Sequence, residues 1–253
     1  PELANIPLYK AGQGPAARDD LETFKLSSNE NPYPPLPNVR EVIAKAGALI
    51  NRYPDPSSSV LLEAIARYHG VPVEHVAVGT GAVALCYQVA HSTAGPGDEV
   101  LFAWRSFEAY PIVSRVAGAT PVMVDLTADG HHDLAAMARA ITARTRLIFV
   151  CSPNNPTGTT VSADQFAEFM TQVPDDVLVV LDEAYAEFDV DADSVNGIQS
   201  YSRYANVAVL RTFSKAYGLA GLRVGYALAP EPIVEALRKT ALPFGVSNIA
   251  QAA

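Results

Sequence analysis

Cationic side chains are scarce in this chain: 18 Lys and Arg stand against 27 Asp and Glu, a formal net charge of −9. A surface of that sign repels nucleic acid and anionic membrane and leaves small polar metabolites as the natural partners. A basic pocket for one phosphate or carboxylate is still compatible with it, because net charge does not describe a single site. Cysteine is scarcer, with Cys86 and Cys151 alone, far apart and each inside an apolar run. They read as buried free thiols in a reducing compartment rather than as a disulfide. No apolar stretch approaches the roughly 20 residues that cross a bilayer. The opening Pro1-Glu2-Leu3-Ala4 lacks the basic start and apolar core of a signal peptide. The expectation is a cytoplasmic protein with no membrane and no nucleic-acid partner. The histidines (His69, His75, His91, His131 and His132) stand at no metal-ligand spacing with Cys, Asp or Glu, so no metal is expected. His131 and His132 follow the turn signal Asp129-Gly130 and read as a solvated loop.

What is present is an ordinary globular mixture, 49% hydrophobic and 18% charged, on 253 residues, enough for one large core or two modest ones. No repeat or low-complexity linker divides it. Residues 1–37, rich in Pro, Asn and Gly, read as an N-terminal arm, and 38–253 as one large domain. Helical spacing runs from Val39 to Ile50 and breaks at Pro54-Asp55-Pro56. A second helix is expected from a Ser57-Ser58-Ser59 cap to Gly70, with Leu61, Leu62, Ile65 and Tyr68 on one face. Beyond it, short runs rich in Val, Leu and Ile at 76–78, 100–103, 121–125, 147–151, 177–181, 207–210 and 223–228 read as strands covered on both faces. Helical patterns near 81–93, 108–117, 133–141, 162–172 and 230–240 separate many of them. That alternation predicts the α/β class: a mainly parallel seven-stranded sheet with helices on both faces and ligands gathered at the strands' carboxyl ends.

Four polar clusters follow those strands. They are Gly79-Thr80-Gly81-Ala82, Ser152-Pro153-Asn154-Asn155-Pro156-Thr157-Gly158, Asp182-Glu183-Ala184-Tyr185, and Arg211-Thr212-Phe213-Ser214-Lys215. Each alone has an ordinary reading: a turn, a helix cap, a surface lysine. Gly218, Gly221 and Gly225 do not make a dinucleotide fingerprint, which must follow a strand and open a helix. Taken together they point further. Lys215 lies in an apolar, glycine-rich neighbourhood where desolvation favours the neutral, nucleophilic amine. Arg223, eight positions on, can grip a phosphate bidentately while Ser214 offers the same group a hydroxyl.

With these motifs the chain resembles the fold-type-I, pyridoxal-phosphate-dependent aminotransferases, and among them the histidinol-phosphate aminotransferase branch. The matching stretches are 28–33 (SNENPY), 52–55 (RYPD), 154–158 (NNPTG), 182–185 (DEAY), 211–216 (RTFSKA) and 218–223 (GLAGLR), in the family's order over essentially the whole chain. The resemblance implies an aspartate aminotransferase-like large domain. It implies that Lys215 carries pyridoxal 5'-phosphate covalently and, once released by substrate, moves a proton. Asp182 would pair with the pyridine nitrogen and make the ring an electron sink. Asn155 and Tyr185 would hydrogen-bond its phenolic oxygen. Backbone amides at Gly81, Ala82 and Val83 would hold the phosphate with Thr212, Ser214 and Arg223, and Phe107 would stack on the ring. Tyr53 matches a tyrosine that reaches a neighbouring subunit's cofactor, which implies a homodimer with shared active sites.

Two departures from the branch pattern bear on substrate. An acidic pair usually follows the glycine turn, where this chain has Gly81-Ala82-Val83-Ala84-Leu85-Cys86. Pro-x-Tyr is usual where it has 104–111 (WRSFEAYP). Both variants, and 243–248 (PFGVSN), are similar to the actinobacterial aromatic amino-acid (phenylalanine) aminotransferases. The expected reaction is therefore transamination of an aromatic amino acid with 2-oxoglutarate. Histidinol phosphate is the alternative substrate; a decarboxylase on the same scaffold and a non-catalytic cofactor-binding module are further alternatives. Trp104 reads as core, with a substrate wall as the alternative, and Tyr9 and Tyr33 of the arm read as either substrate contacts or structural and dimer-arm residues. The family's C-terminal small domain, which supplies the arginine for the substrate carboxylate, is expected beyond Ala253, and no residue here takes that role.

Overall fold

Alternation of side chains across the strands builds the molecule. In β2 (Glu99–Trp104), Leu101 and Ala103 enter one apolar cluster while Val100 and Phe102 enter another. In β4 (Thr145–Cys151), Ile148 and Val150 share the first cluster and Leu147 and Phe149 the second. A strand that is apolar on both faces has to be covered on both, which explains the near-continuous Val, Leu and Ile runs. The computed structural model describes residues 4, 6–9, 12, 14, 16, 18–23, 25 and 27–253; the rest of the 1–37 arm lies outside the described residues.

All seven sequence-predicted strands form one sheet. With β1 (Val76–Gly79), β3 (Thr120–Asp125), β5 (Leu178–Asp182), β6 (Val207–Thr212) and β7 (Gly225–Leu228), its order is β1-β7-β6-β5-β4-β2-β3. Pairing is parallel from β3 through β2, β4 and β5 to β6, and antiparallel on both sides of β7. The sheet is thus mixed, with one reversed strand in a mainly parallel array. The helices α2 (Ser59–His69), α5 (Leu134–Arg139), α6 (Ala163–Met170) and α7 (Gly197–Arg203) feed the first cluster through Ile65, Met137, Phe166 and Tyr201. On the opposite face α3 (Ala82–Thr93), α4 (Tyr110–Val116) and α8 (Glu231–Thr240) contribute Leu85, Val89, Tyr110, Val113 and Leu237. Helix α1 (Pro37–Gly47) buries no residue fully, and a short α9 (Asn248–Ala252) follows α8.

Several sequence expectations need adjustment. The serine run does start α2, but Ser58 is left-handed and makes no side-chain cap. Asp55 does the capping instead. One of its oxygens accepts from the Ser57 amide (2.9 Å) and hydroxyl, the other from those of Ser59 (2.8 and 2.7 Å). Those donors hold its carboxyl far below the usual range. Leu62 and Ile65 face the core as expected, whereas Tyr68 is 73% exposed. Helix α7 was not anticipated; its seven residues open on a glycine and carry too short a pattern to read. Both cysteines are free and buried.

His132 is the clearest reversal. His131 is exposed, but His132 is 7% exposed, and neither ring nitrogen makes a well-formed hydrogen bond among the described residues. Burial pushes its ring down to about 4, against a weaker opposing influence from Asn154. The folded protein therefore refuses a proton that the unfolded chain accepts. This contribution to stability is complete above the unfolded value of 6.5 and is lost as pH falls toward 4. Relative to His132→Gln, the wild type is expected to lose roughly 3 kcal/mol of unfolding free energy over that interval. Chemical denaturation at a series of pH values checks this; a pH-independent difference would show the folded ring already protonated.

Candidate active site

The parallel strands deliver their carboxyl ends to one edge of the sheet. Cys151 of β4 pairs with Asp182 of β5, and Asp182 with Leu210 of β6. Thr212 at the end of β6 lies opposite Gly225, the start of the reversed β7, and Gly225 also faces Gly79 at the end of β1. A Cβ at 225 would stand 2.7 Å from the Ala82 amide nitrogen and 2.9 Å from the Arg211 carbonyl oxygen. Only glycine permits the start of α3 to close on β7. All four polar clusters found in the sequence therefore meet at one edge. It also holds the point where the sheet's connections diverge, since β2 leads outward to β3 while β4 leads the other way to β5 and β6.

A cavity of about 480 Å³ opens there. Its lining includes Ala82, Val83, Phe107, Asn155, Asp182, Tyr185, Thr212, Ser214, Lys215 and Arg223 from the expected set. A larger cavity of about 750 Å³ collects none of the expected residues. Tyr53 is not in the active cavity: it is 83% exposed, with its ring 4.7 Å from that of Phe244. Tyr33 is likewise exposed and outside it, while Tyr9 contributes to the wall. Trp104 packs against the second apolar cluster, edge-on to Phe102, and is core.

Asp182 is the buried charge of the site, 3% exposed. Burial raises its carboxyl above the usual range, opposed by donors. The Tyr110 hydroxyl donates to Oδ2 at 2.7 Å and the Ala184 amide to Oδ1 at 3.2 Å. Next to it Glu183, 3% exposed, is bridged to Arg211 at 2.8 and 2.9 Å and accepts from the Gly197 amide at 2.7 Å. That network ties the ends of β5 and β6 to the start of α7.

Lys215 is half-buried, its Nζ donating to the Ser28 carbonyl at 2.9 Å and to that of Asn29 at 3.4 Å. Desolvation lowers its amine below the usual lysine value; Glu30 and Asp182 pull the other way, and Arg223 reinforces the drop. The ammonium lies 5.6 Å over the Tyr185 ring, and the Tyr185 hydroxyl accepts from Asn29 Nδ2 at 2.9 Å, which leaves its own proton to donate.

The side expected to take the phosphate is built from a turn and an arginine. Gly81 has φ 88° and ψ 163°, a region essentially closed to side chains. Its N–H donates to the Gly79 carbonyl at 2.7 Å. Gly81 therefore does not offer the amide expected of it, and contributes room instead. Among the described residues, the N–H groups at the start of α3 without a backbone partner are those of Ala82 and Val83. A Cβ at 81 would lie 2.4 Å from an Arg223 nitrogen. Arg223 is itself left-handed (φ 55°), and its guanidinium reaches Ser214 Oγ at 3.3 Å and the carbonyls of Ala220 and Thr80 at 2.9 and 3.4 Å.

The donor set fits pyridoxal phosphate: helix amides, hydroxyls and a guanidinium for a dianion, a carboxylate for a protonated ring nitrogen, and an amine of lowered basicity for the aldehyde. Sequence reasoning missed Tyr110, Ser106 and Asn154. Ser106 Oγ donates to Asn154 Oδ1 at 2.7 Å, joining the loops after β2 and β4, and Asn154 Nδ2 donates to Thr157 at 2.8 Å. Asn154 stands in the turn motif already singled out, and Ser106 and Tyr110 in the stretch 104–111, but neither motif shows these contacts, because a serine, an asparagine in a turn and an aromatic each have common structural uses.

Comparison with known proteins agrees with this geometry. The family model for aminotransferase class I and II matches residues 22–253. The aromatic amino acid aminotransferase of Streptomyces coelicolor is 59% identical over 252 residues, covering 100% of this chain and 70% of that protein. A solved histidinol-phosphate aminotransferase from Sinorhizobium meliloti, in complex with pyridoxal-5'-phosphate, superposes with a TM-score of 0.84 at 32% identity over 89% of this chain and 61% of that one. An aspartate aminotransferase mutant of Thermus thermophilus superposes at 0.78 with 25% identity, over 88% and 65% of the two chains.

Gly81→Ala is the direct test of the cradle. Strain of about 1–3 kcal/mol and the clash with Arg223 are expected to weaken pyridoxal phosphate binding roughly tenfold or more, read by equilibrium titration of the cofactor-free protein. An unchanged dissociation constant would show that the cradle lies elsewhere.

Proposed function

Because the chain belongs to the class I and II aminotransferases, enzymes dependent on pyridoxal phosphate, we propose that it moves the amino group of an aromatic amino acid such as phenylalanine or tyrosine to 2-oxoglutarate. The observation that carries the reading is the convergence of Lys215, Asp182 and Arg223 on one cavity at the strand ends. The substrate class is supported by the name of the 59%-identical Streptomyces coelicolor relative. Tyr9 and Phe107, which line the cavity, suit an aromatic side chain.

Pyridoxal phosphate supplies the aldehyde carbon that takes the amino group and a ring that accepts electron density from the substrate's Cα. The chain's residues do the rest. Lys215, half-buried and of lowered basicity, holds the cofactor and, once displaced, carries a proton away from the substrate Cα. Asp182 accepts the ring N–H and keeps the ring cationic. Tyr185 and Asn155 donate to the phenolic oxygen. Ala82, Val83, Thr212, Ser214 and Arg223 fix the phosphate, and Phe107 covers one face of the ring. Asp182 and Thr212 end strands, Ala82 and Val83 open α3, and Phe107, Asn155, Tyr185, Ser214 and Lys215 follow a strand end within four residues, so short connections hold the reacting atoms without the mobility of a long loop.

The same reading assigns 1–37 to an arm and 38–253 to the cofactor-binding domain. It includes a cytoplasmic homodimer in which Tyr53 of each subunit reaches the other's cofactor phosphate; the exposed Tyr53–Phe244 pair supports that contact, and two buried free thiols suit a reducing compartment.

Purified with cofactor, the protein is expected to show visible absorption that Lys215→Ala abolishes, together with a loss of at least about 10³-fold in turnover from losing the covalent and proton-transfer group. A side-by-side panel of phenylalanine, tyrosine and histidinol phosphate with 2-oxoglutarate, with glutamate and CO₂ both measured, sets the substrate. Exclusive use of histidinol phosphate would overturn the aromatic reading, and CO₂ release without glutamate would overturn transamination.

A further inference from the structure

Tyr110 is fully buried, yet its hydroxyl donates to Asp182 at 2.7 Å. Its ring has no freedom to leave. It stacks on Phe149 with centroids 4.4 Å apart and 8° between planes, meets Phe107 edge-on at 5.6 Å, and lies 5.7 Å from Phe102. Its backbone amide donates to the Phe107 carbonyl, and its own carbonyl accepts from Ser114 Oγ at 2.7 Å. Burial, foremost, and the neighbouring Asp182 push the phenol well above its ordinary value, so it remains a donor.

We propose that Tyr110 is a positioning residue for the transamination. Its hydroxyl occupies one side of Asp182 Oδ2, keeps the carboxylate ionised, and aims its remaining lone pairs at the cofactor's ring nitrogen. This rests on the assignment of Asp182 to that nitrogen. Other groups facing Asp182 do not substitute for it. The Ala184 amide satisfies Oδ1 at 3.2 Å. Cys86 from α3 and Cys151 from β4 are thiols that burial pushes upward, Cys151 to about 12, so they stay neutral. Tyr185 is likewise raised by burial and accepts from Asn29. Lys215 acts on Asp182 through its charge alone. The packing around Tyr110 also links the carboxylate to Phe107: one aromatic pair sets both the group at the ring nitrogen and the group on the ring face.

Tyr110→Phe removes only the hydroxyl and keeps the stack. Without the donor Asp182 becomes more basic and draws the ring proton toward itself, which makes the Lys215 nitrogen bonded to the cofactor more basic. The pH at which the holoenzyme's visible absorption changes is therefore expected to rise by about half a unit or more. Turnover should fall about tenfold with KM little altered, the scale of one hydrogen bond to a charge. Placing 3-fluorotyrosine at position 110 keeps shape and hydroxyl but strengthens the donor, and should move the transition downward; it also covers the case in which Tyr110→Phe does not fold. In an Asp182→Asn background, Tyr110→Phe should add nothing to the spectral shift or to the cofactor's dissociation constant. A wild-type transition in both Tyr110 variants, or effects that multiply with Asp182→Asn, would overturn the inference. Absence of visible absorption in the wild type would instead overturn the assignment of the site itself.

Discussion

Asp182 is buried at the end of β5, and an ionised carboxylate in that position has to be matched by donors and by positive charge. Much of the surrounding structure is organised around that requirement. The Tyr110 hydroxyl and the Ala184 amide satisfy it from two sides, and Lys215 adds its charge. Tyr110 can serve only because α4 begins against Phe149 of β4, so the helix after one strand holds a side chain at the end of another. The adjacent Glu183–Arg211 pair solves a similar problem one residue further on, and in doing so fixes β5 to β6. Two buried carboxylates in sequence thus behave differently. One is fully neutralised within the scaffold, and the other keeps an acceptor for a ligand.

The sheet topology converts these local solutions into one site. Parallel pairing of β4, β5 and β6 puts the residues that follow them on a common edge, and the reversed β7 brings Gly225 and Arg223 back to it. Gly225 lets the start of α3 approach β7, and Gly81 leaves the space into which the Arg223 guanidinium extends. The proposed phosphate cradle is therefore a product of two close backbone approaches, not of a self-contained loop. Its members come from residues 80 and 223, at opposite ends of the sheet's connectivity.

The strands were legible in the sequence because two-sided burial demands uninterrupted apolar runs, and all seven were found. Their separation by helical patterns announced a mainly parallel sheet, and the polar clusters after 151, 182 and 210 marked the edge where chemistry would sit. The reversed direction of β7 was not legible, since periodicity carries no sign of direction. The cap on α2 was misplaced for a related reason: the serine run looked sufficient, whereas Asp55 caps it from two residues before Ser57 and four before Ser59. His132 misled because the Asp129-Gly130 turn does precede it, but the chain dives beneath the loop immediately afterwards.

For the site, sequence by itself determined the candidate groups. Lys215, Asp182, Asn155, Tyr185, Ser214 and Arg223 stood out because their motifs follow strands in the order of the family the chain resembles, and they do line one cavity. Tertiary structure alone decided how these groups are tuned. That Gly81 contributes space rather than an amide follows from a turn whose N–H is already bonded to Gly79. That Tyr110 belongs with Asp182, 72 residues away, follows from the packing of α4 over β4. A motif records which atoms react, since that is local chemistry; burial, orientation and proton affinity depend on neighbours that only the folded chain brings within a few ångströms.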